Sequence, residues 1–185
     1  MNKNNNKTFK LNKVQKLVIG LGVVGLIGTL IYIKIKPELP MFTKTDVTVN
    51  KTIDEDGATV IELVDEDDFD LEIHMPMDLT DDKIGVFIHR MAHQKVIADE
   101  KWGNEPLTMN RVVRLIDVIE ENKSNYKHSG TYLRILEKWR NNDFTEVDFD
   151  HNEIWRIQSG TVGRATGILS YEEEQSYIER HYNTD

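Results

Sequence analysis

Residues 80–103 read TDDKIGVFIHRMAHQKVIADEKWG. Thr80 has the hydroxyl of an N-cap, and Asp81 and Asp82 place negative charge in the first turn, where a helix dipole favours it. Ile84, Phe87, Ile88, Met91, Ala98 and Trp102 share one helical face, with Val86, Val96 and Ile97 on the other side. The spacing predicts one helix from Thr80 to about Trp102, ended by Gly103. A helix apolar on two sides is central to its domain. Lys95 falls inside the apolar stripe, and Asp99, one turn on, is expected to neutralise it as an i,i+4 pair.

Towards the C-terminus the same period recurs. Thr108 opens a second helix to about Asn122, with Val112, Leu115, Ile116 and Ile119 inward. A third runs from about Gly130 to Asn141. Asp150 and Glu153 have capping-box spacing and open a fourth helix, and Ser170 and Glu173 open a fifth. Trp102, Trp139 and Trp155 are expected to anchor the core. The fold expected over residues 79–185 is mainly α, a small bundle of about five helices.

Towards the N-terminus the composition changes. Thirteen acids and no basic residue lie between Thr52 and Asp82. Val47/Val49 and Phe69/Leu71/Ile73/Met75 alternate with polar residues, and Ala58–Val64 is apolar and β-branched. Residues 34–78 therefore read as an acidic spacer arm that admits short β-strands, with Asp56-Gly57 as a hairpin turn. No stretch meets the ligand spacing of an EF-hand loop. Further back, Leu17–Ile33 (LVIGLGVVGLIGTLIYI) is uncharged, and Lys16 and Lys34 bracket it. Seventeen residues reach about 26 Å as a helix, the short end of what spans a bilayer. Nothing resembling a cleavage site follows, so residues 17–33 read as an uncleaved signal anchor. Five lysines precede the run and two follow closely. They place residues 1–16 in the cytoplasm and the C-terminal domain outside, on a single-pass membrane protein.

The charge of the 185-residue chain is −9, distributed as +7 over residues 1–37, −13 over 38–82 and −3 over 83–185. An acidic chain whose basic residues form no stripe is not a nucleic-acid binder. There is no Cys, which excludes a thiol nucleophile, a disulfide scaffold and a Cys-ligated metal.

The residues with chemistry are few. His89 and His93 stand one helical turn apart, the spacing that lets two imidazoles share a metal. Arg90 stands where a zincin has its Glu, so zincin catalysis is not supported. A third ligand would come from His151, Asp150, Asp99 or His128. Asp150-His151-Asn152 at a helix start reads as a capping cluster. No G-x-S-x-G is present. Gly160–Gly167 looks like a phosphate loop but lacks G-K-[ST] and follows a helix, leaving Arg164 as a weak candidate for an anion. The candidate cluster is thus His89, His93, Lys95, Asp99, Asp150, His151 and Asn152, with His89, His93 and His151 as the metal set.

The runs His89-x-x-x-His93-Gln94-Lys95-Val96-x-Ala98-Asp99-x-Lys101-Trp102-Gly103, Asp150-His151-Asn152-x-Ile154-Trp155 and Gln158-x-Gly160-Thr161-Val162-Gly163-x-Ala165-Thr166-Gly167 resemble a family of small membrane-anchored proteins of Gram-positive bacteria, classed as a domain of unknown function. The resemblance covers about residues 80–180. It implies an anchor and a helical extracytoplasmic domain, and supplies no activity. The function expected is a non-enzymatic interaction module binding a protein or cell-envelope partner, without a cofactor. The alternative is a metal-dependent hydrolase, with zinc held by His89, His93 and His151.

Overall fold

The structure, a computed structural model, describes residues 44–53, 57, 59–66 and 69–184. Lys44–Asp185 form one compact unit. The expected anchor, Leu17–Ile33, lies outside the described residues. Among the described residues, no helix is long and apolar enough to cross a membrane.

The chain opens with two strands, β1 (Thr45–Ile53) and β2 (Thr59–Asp65), paired antiparallel from Val47–Asp65 to Ile53–Thr59. Gly57 lies between them at φ +82°. Four-residue α1 (Leu71–His74) precedes α2 (Asp81–Ala92). A two-residue strand β3 (Val96–Ile97) follows, then α3 (Met109–Glu121), a 3-10 turn (Lys123–Asn125), α4 (Ser129–Arg140) and α5 (Val147–Ile157). Strand β4 (Gly167–Ile168) pairs antiparallel with β3. Helix α6 (Tyr171–His181) runs into β5 (Tyr182–Thr184), which lies parallel to β1 and completes a sheet of order β2-β1-β5.

The class is therefore mixed α/β, which corrects the mainly α expectation. In β1 and β2 the expected alternation is satisfied, whereas the alternation Phe69/Leu71/Ile73/Met75 makes no strand, because Leu71–His74 are helical and Ile73 is exposed. Val47, Ile61 and Leu63 point inward and form a small core with Tyr177, Ile178 and Tyr182 of α6 and β5. Burying such side chains stabilises by about 1.5–3 kcal/mol each, and Arg111 of α3 neutralises Asp65 at the end of β2. The main core lies among α2, α3, α4 and α5, with Ile84, Ile88, Leu115, Ile119, Ile135 and Trp139 buried at its centre. Of the three tryptophans only Trp139 is core. Trp102 is 72% exposed, and Trp155 is half-buried with its indole N–H on the Val162 carbonyl.

Local capping signals hold at Thr80, Thr108 and Ser170, each of whose hydroxyls accepts a backbone N–H of the first turn. Two others do not. Helix α2 stops at Ala92 instead of running to Trp102. The side chain of Gln94 turns inward to donate to Glu174 at 2.9 Å and to accept from the Leu107 amide at 3.3 Å. Lys95 is buried against Glu174 at 2.7 Å, not Asp99, which is exposed. The backbone beyond bonds to the segment after α5: Leu169 N–H to Lys95 O and Thr166 N–H to Ile97 O, both at 2.8 Å. Second, α5 begins at Val147, so Asp150 is inside the helix and caps nothing. Its carboxylate accepts from the Trp139 indole at 3.2 Å and pairs with Lys138 at 3.2 Å. A buried indole N–H and a nearby ammonium both need an acceptor, which explains the placement.

Candidate metal centre

Helices α2 and α5 pack on each other, and the contact brings His89 and His93 against His151. The ring centroids are 4.9 Å apart for His89–His93, 4.4 Å for His89–His151 and 5.6 Å for His93–His151. One ring nitrogen from each lies within 4.8 Å of the others. His93 and His151 are buried, and His89 is half-buried.

Each imidazole is oriented by an oxygen on Nδ1. His89 Nδ1 meets Gln158 Oε1 at 2.5 Å, His93 Nδ1 meets the Gly103 carbonyl at 2.8 Å, and His151 Nδ1 meets Asn152 Oδ1 at 3.3 Å. The Asn152 amide is itself locked: Oδ1 accepts from the Ala165 N–H at 2.8 Å, and Nδ2 donates to the Ala165 carbonyl at 2.9 Å. Oxygen acceptors put the proton on Nδ1 of all three rings and leave Nε2 with its lone pair. The buried Nε2 of His151 has no hydrogen-bond partner. A bare nitrogen on one side of each ring and an oxygen acceptor on the other is the arrangement of metal-ligating histidines.

The electrostatics agree. Burial is the first cause that holds His93 down at about 3 and His151 at about 4, and it also lowers His89. Lys101 adds to the first two and Arg90 to the third. The rings are neutral at pH 7, the state that ligates. Zinc bound at about 2.0–2.1 Å to nitrogen separates its tetrahedral ligands by roughly 3.4 Å, so closure on an ion takes side-chain shifts of under about 1 Å each.

The break in α2 makes this geometry. Ten residues of continued helix would carry Gly103 about 15 Å from His93. The turn after Ala92 returns it, with Gly103 at φ +79°. The Gly160–Gly167 run serves the same site as packing. Gly163, at φ +76°, lets the loop approach so closely that a Cβ there would lie 2.4 Å from the Glu100 carbonyl oxygen. This sets Ala165 against Asn152.

Of the expected residues, the structure brings together His89, His93, His151 and, behind them, Asn152. It places Lys95 and Asp150 in other contacts and leaves Asp99 exposed, and His128 lies near Tyr132 at 6.1 Å between rings. Arg164 is exposed, with no ion pair among the described residues. Gln158 and Gly103 belong to the site without a sequence signal of their own. Both stand within the quoted motif runs, but nothing in their spacing ties them to a histidine.

No curated protein and no solved structure matches the chain. Residues 88–179, which include all three histidines and their oxygen partners, match a family described as a family of unknown function (DUF6241), so the chain carries a DUF6241 domain.

Proposed function

We propose that this domain is the scaffold of a metal-dependent hydrolytic centre, with a zinc-type divalent ion held by His89, His93 and His151. The observation that carries the reading is the convergence of three neutral imidazoles, each with an oxygen on Nδ1. Three protein nitrogens would leave one position of a zinc-type ion for water, whose pKa the ion would lower towards 7. No carboxylate is among the ligands, so the ion's charge is available to that water.

Metal analysis of the purified full-length chain tests this. One zinc per chain is expected, with none in His93→Ala or His151→Ala. Asn152→Ala, which removes the acceptor behind His151, is expected to weaken zinc binding by about 10- to 100-fold. A metal-free chain whose melting is unchanged by added zinc contradicts the reading.

The interaction-module reading drew on the anchor, an acidic spacer and the lack of a complete catalytic set; of the spacer, β1 and β2 fold into the domain. The Leu17–Ile33 run supports placing the domain on the outer face of a membrane. A reporter active only outside the cytoplasm, fused after residue 36, is expected to be active, and an inactive fusion contradicts that placement.

A further inference from the structure

The turn that carries His93 is held from the C-terminal helix. Gln94 and Lys95, which follow it directly, are both buried, and both meet one carboxylate. Glu174 Oε1 of α6 accepts from Gln94 Nε2 at 2.9 Å and lies 2.7 Å from Lys95 Nζ. Glu172 and Glu173 beside it are exposed, so Glu174 alone of the three is turned inward. The Gln94 amide is fixed at its other end by the Leu107 N–H. One turn further along α6, the centre of the Tyr177 ring lies 4.6 Å from Lys101 Nζ, which donates to the His93 carbonyl at 2.8 Å. Helix α6 thus reaches the turn by two routes, through the side chains after His93 and through the main-chain oxygen of His93 itself.

These contacts matter because the local sequence favours another conformation. Residues 80–103 carry an unbroken helical period, and a helix continued to Trp102 would take the Gly103 carbonyl away from His93 Nδ1. The chain tightens instead. The Gln94 N–H bonds to the Met91 carbonyl at 3.2 Å and the Lys95 N–H to the Ala92 carbonyl at 2.9 Å, three residues back and not four. A buried amide and a buried ammonium are costly without an acceptor, so the tight turn is stable only while Glu174 stands behind it. Among the described residues Glu174 lies outside the three-histidine group, and it acts on that group through Gln94 and Lys95.

We propose that Glu174 is a positioning residue of the metal centre: docking of α6 through it selects the broken form of α2 that fixes His93, so occupation of the site and docking of α6 favour each other. The coupling is reciprocal by linkage. The consequence for zinc rests on the metal reading above; the placement of His93 does not.

Two measurements on the full-length chain test it. In chelator, amide deuterium exchange over residues 93–103 is expected to be at least ten-fold faster in Glu174→Ala than in wild type, with α3 and α4 unchanged. With zinc, competition against a chelating dye is expected to show at least a ten-fold lower affinity in the same variant. Two double variants separate positioning from stability, and decide the matter if Glu174→Ala does not fold. Glu174→Gln with Lys95→Met keeps an acceptor for Gln94 and strands no charge, so a zinc affinity within three-fold of wild type is expected. Glu174→Leu with Lys95→Met restores the melting temperature in chelator by replacing the ion pair with an apolar contact, but gives Gln94 no acceptor, so the loss of affinity is expected to persist. Unchanged exchange over residues 93–103 in Glu174→Ala, or a zinc affinity that simply follows melting temperature across the variants, overturns the proposal. A wild-type chain that takes up no zinc, with faster exchange in Glu174→Ala, overturns the coupling and leaves Glu174 as the residue that places His93.

Discussion

Replacing Arg111 by methionine is expected to destabilise the domain by about 3–5 kcal/mol, because it leaves two buried carboxylates without a counter-charge. The guanidinium is 1% exposed. Its Nε donates to Asp65 Oδ1 at 2.7 Å, a second nitrogen pairs with the same carboxylate at 2.6 Å, and a third reaches Glu105. Thr108 donates its hydroxyl to Asp65, and His74 meets Glu105 at 2.7 Å. The Phe69 ring lies 4.3 Å from the guanidinium carbon. One arginine thus joins the end of β2, the segment before α1, the chain before α3, and α3 itself. Methionine fills much of the volume, so the loss reports the missing charge and not a cavity. Urea unfolding at pH 7 measures it. Adding Asp65→Asn and Glu105→Gln to Arg111→Met is expected to recover part of the loss, because the stranded charges go with it. A change below about 1 kcal/mol would mean that water reaches the cluster and that the hairpin is not fixed by it.

Mild acid is expected to destabilise the metal-free protein through the same histidines that would hold the ion. His93 is depressed to about 3 and His151 to about 4, both first by burial, from an ordinary value of 6.5. Below pH 6.5 the unfolded chain takes up a proton at each, while the folded chain does not until far lower. The unfolded state therefore binds more protons, and stability falls as pH falls through this window. Above pH 6.5 the two groups contribute no pH dependence, and below about pH 3 their contribution is exhausted. Between pH 6 and 5, before most carboxylates titrate, the slope approaches about 1.4 kcal/mol per pH unit for each histidine. Urea midpoints in the presence of chelator, at pH 7.0, 6.0 and 5.0, measure it. His151→Gln is expected to remove about one proton's share of the slope. A wild-type midpoint constant from pH 7 to 5 would mean that the rings charge freely in the folded state and are open to water.

The parts of this fold that were legible in the sequence are those decided within a few residues. Thr80, Thr108 and Ser170 cap because a hydroxyl needs only the amide three residues on, and the apolar face of α3 needs only its own period. The end of α2 is decided elsewhere. Gln94 and Lys95 are drawn in by Glu174, eighty residues away for Gln94, and Val96–Ile97 pair with a strand after α5. A window over residues 80–103 shows an unbroken helical period because nothing within it announces that pairing. The acidic hairpin had visible alternation, but its place depended on β5 and on Arg111. The candidate site divides in the same way. His89 and His93 follow from i,i+4 spacing. His151 joined them as one option among four, and only the packing of α2 on α5 selects it. Gln158 and Gly103 enter through contacts that a one-dimensional pattern does not contain.

Three imidazoles from two helices are proposed to form one metal site. Cobalt(II) titration of the metal-free full-length chain, followed by visible absorption, tests it most directly, because cobalt replaces zinc and its colour reports coordination. Saturation at one equivalent is expected, with the intense blue absorption of a four-coordinate nitrogen-and-water site, displaced by zinc and lost in His151→Ala. A weak pink six-coordinate spectrum in both wild type and His151→Ala would contradict it, and would leave the three histidines as a buried, hydrogen-bonded packing cluster.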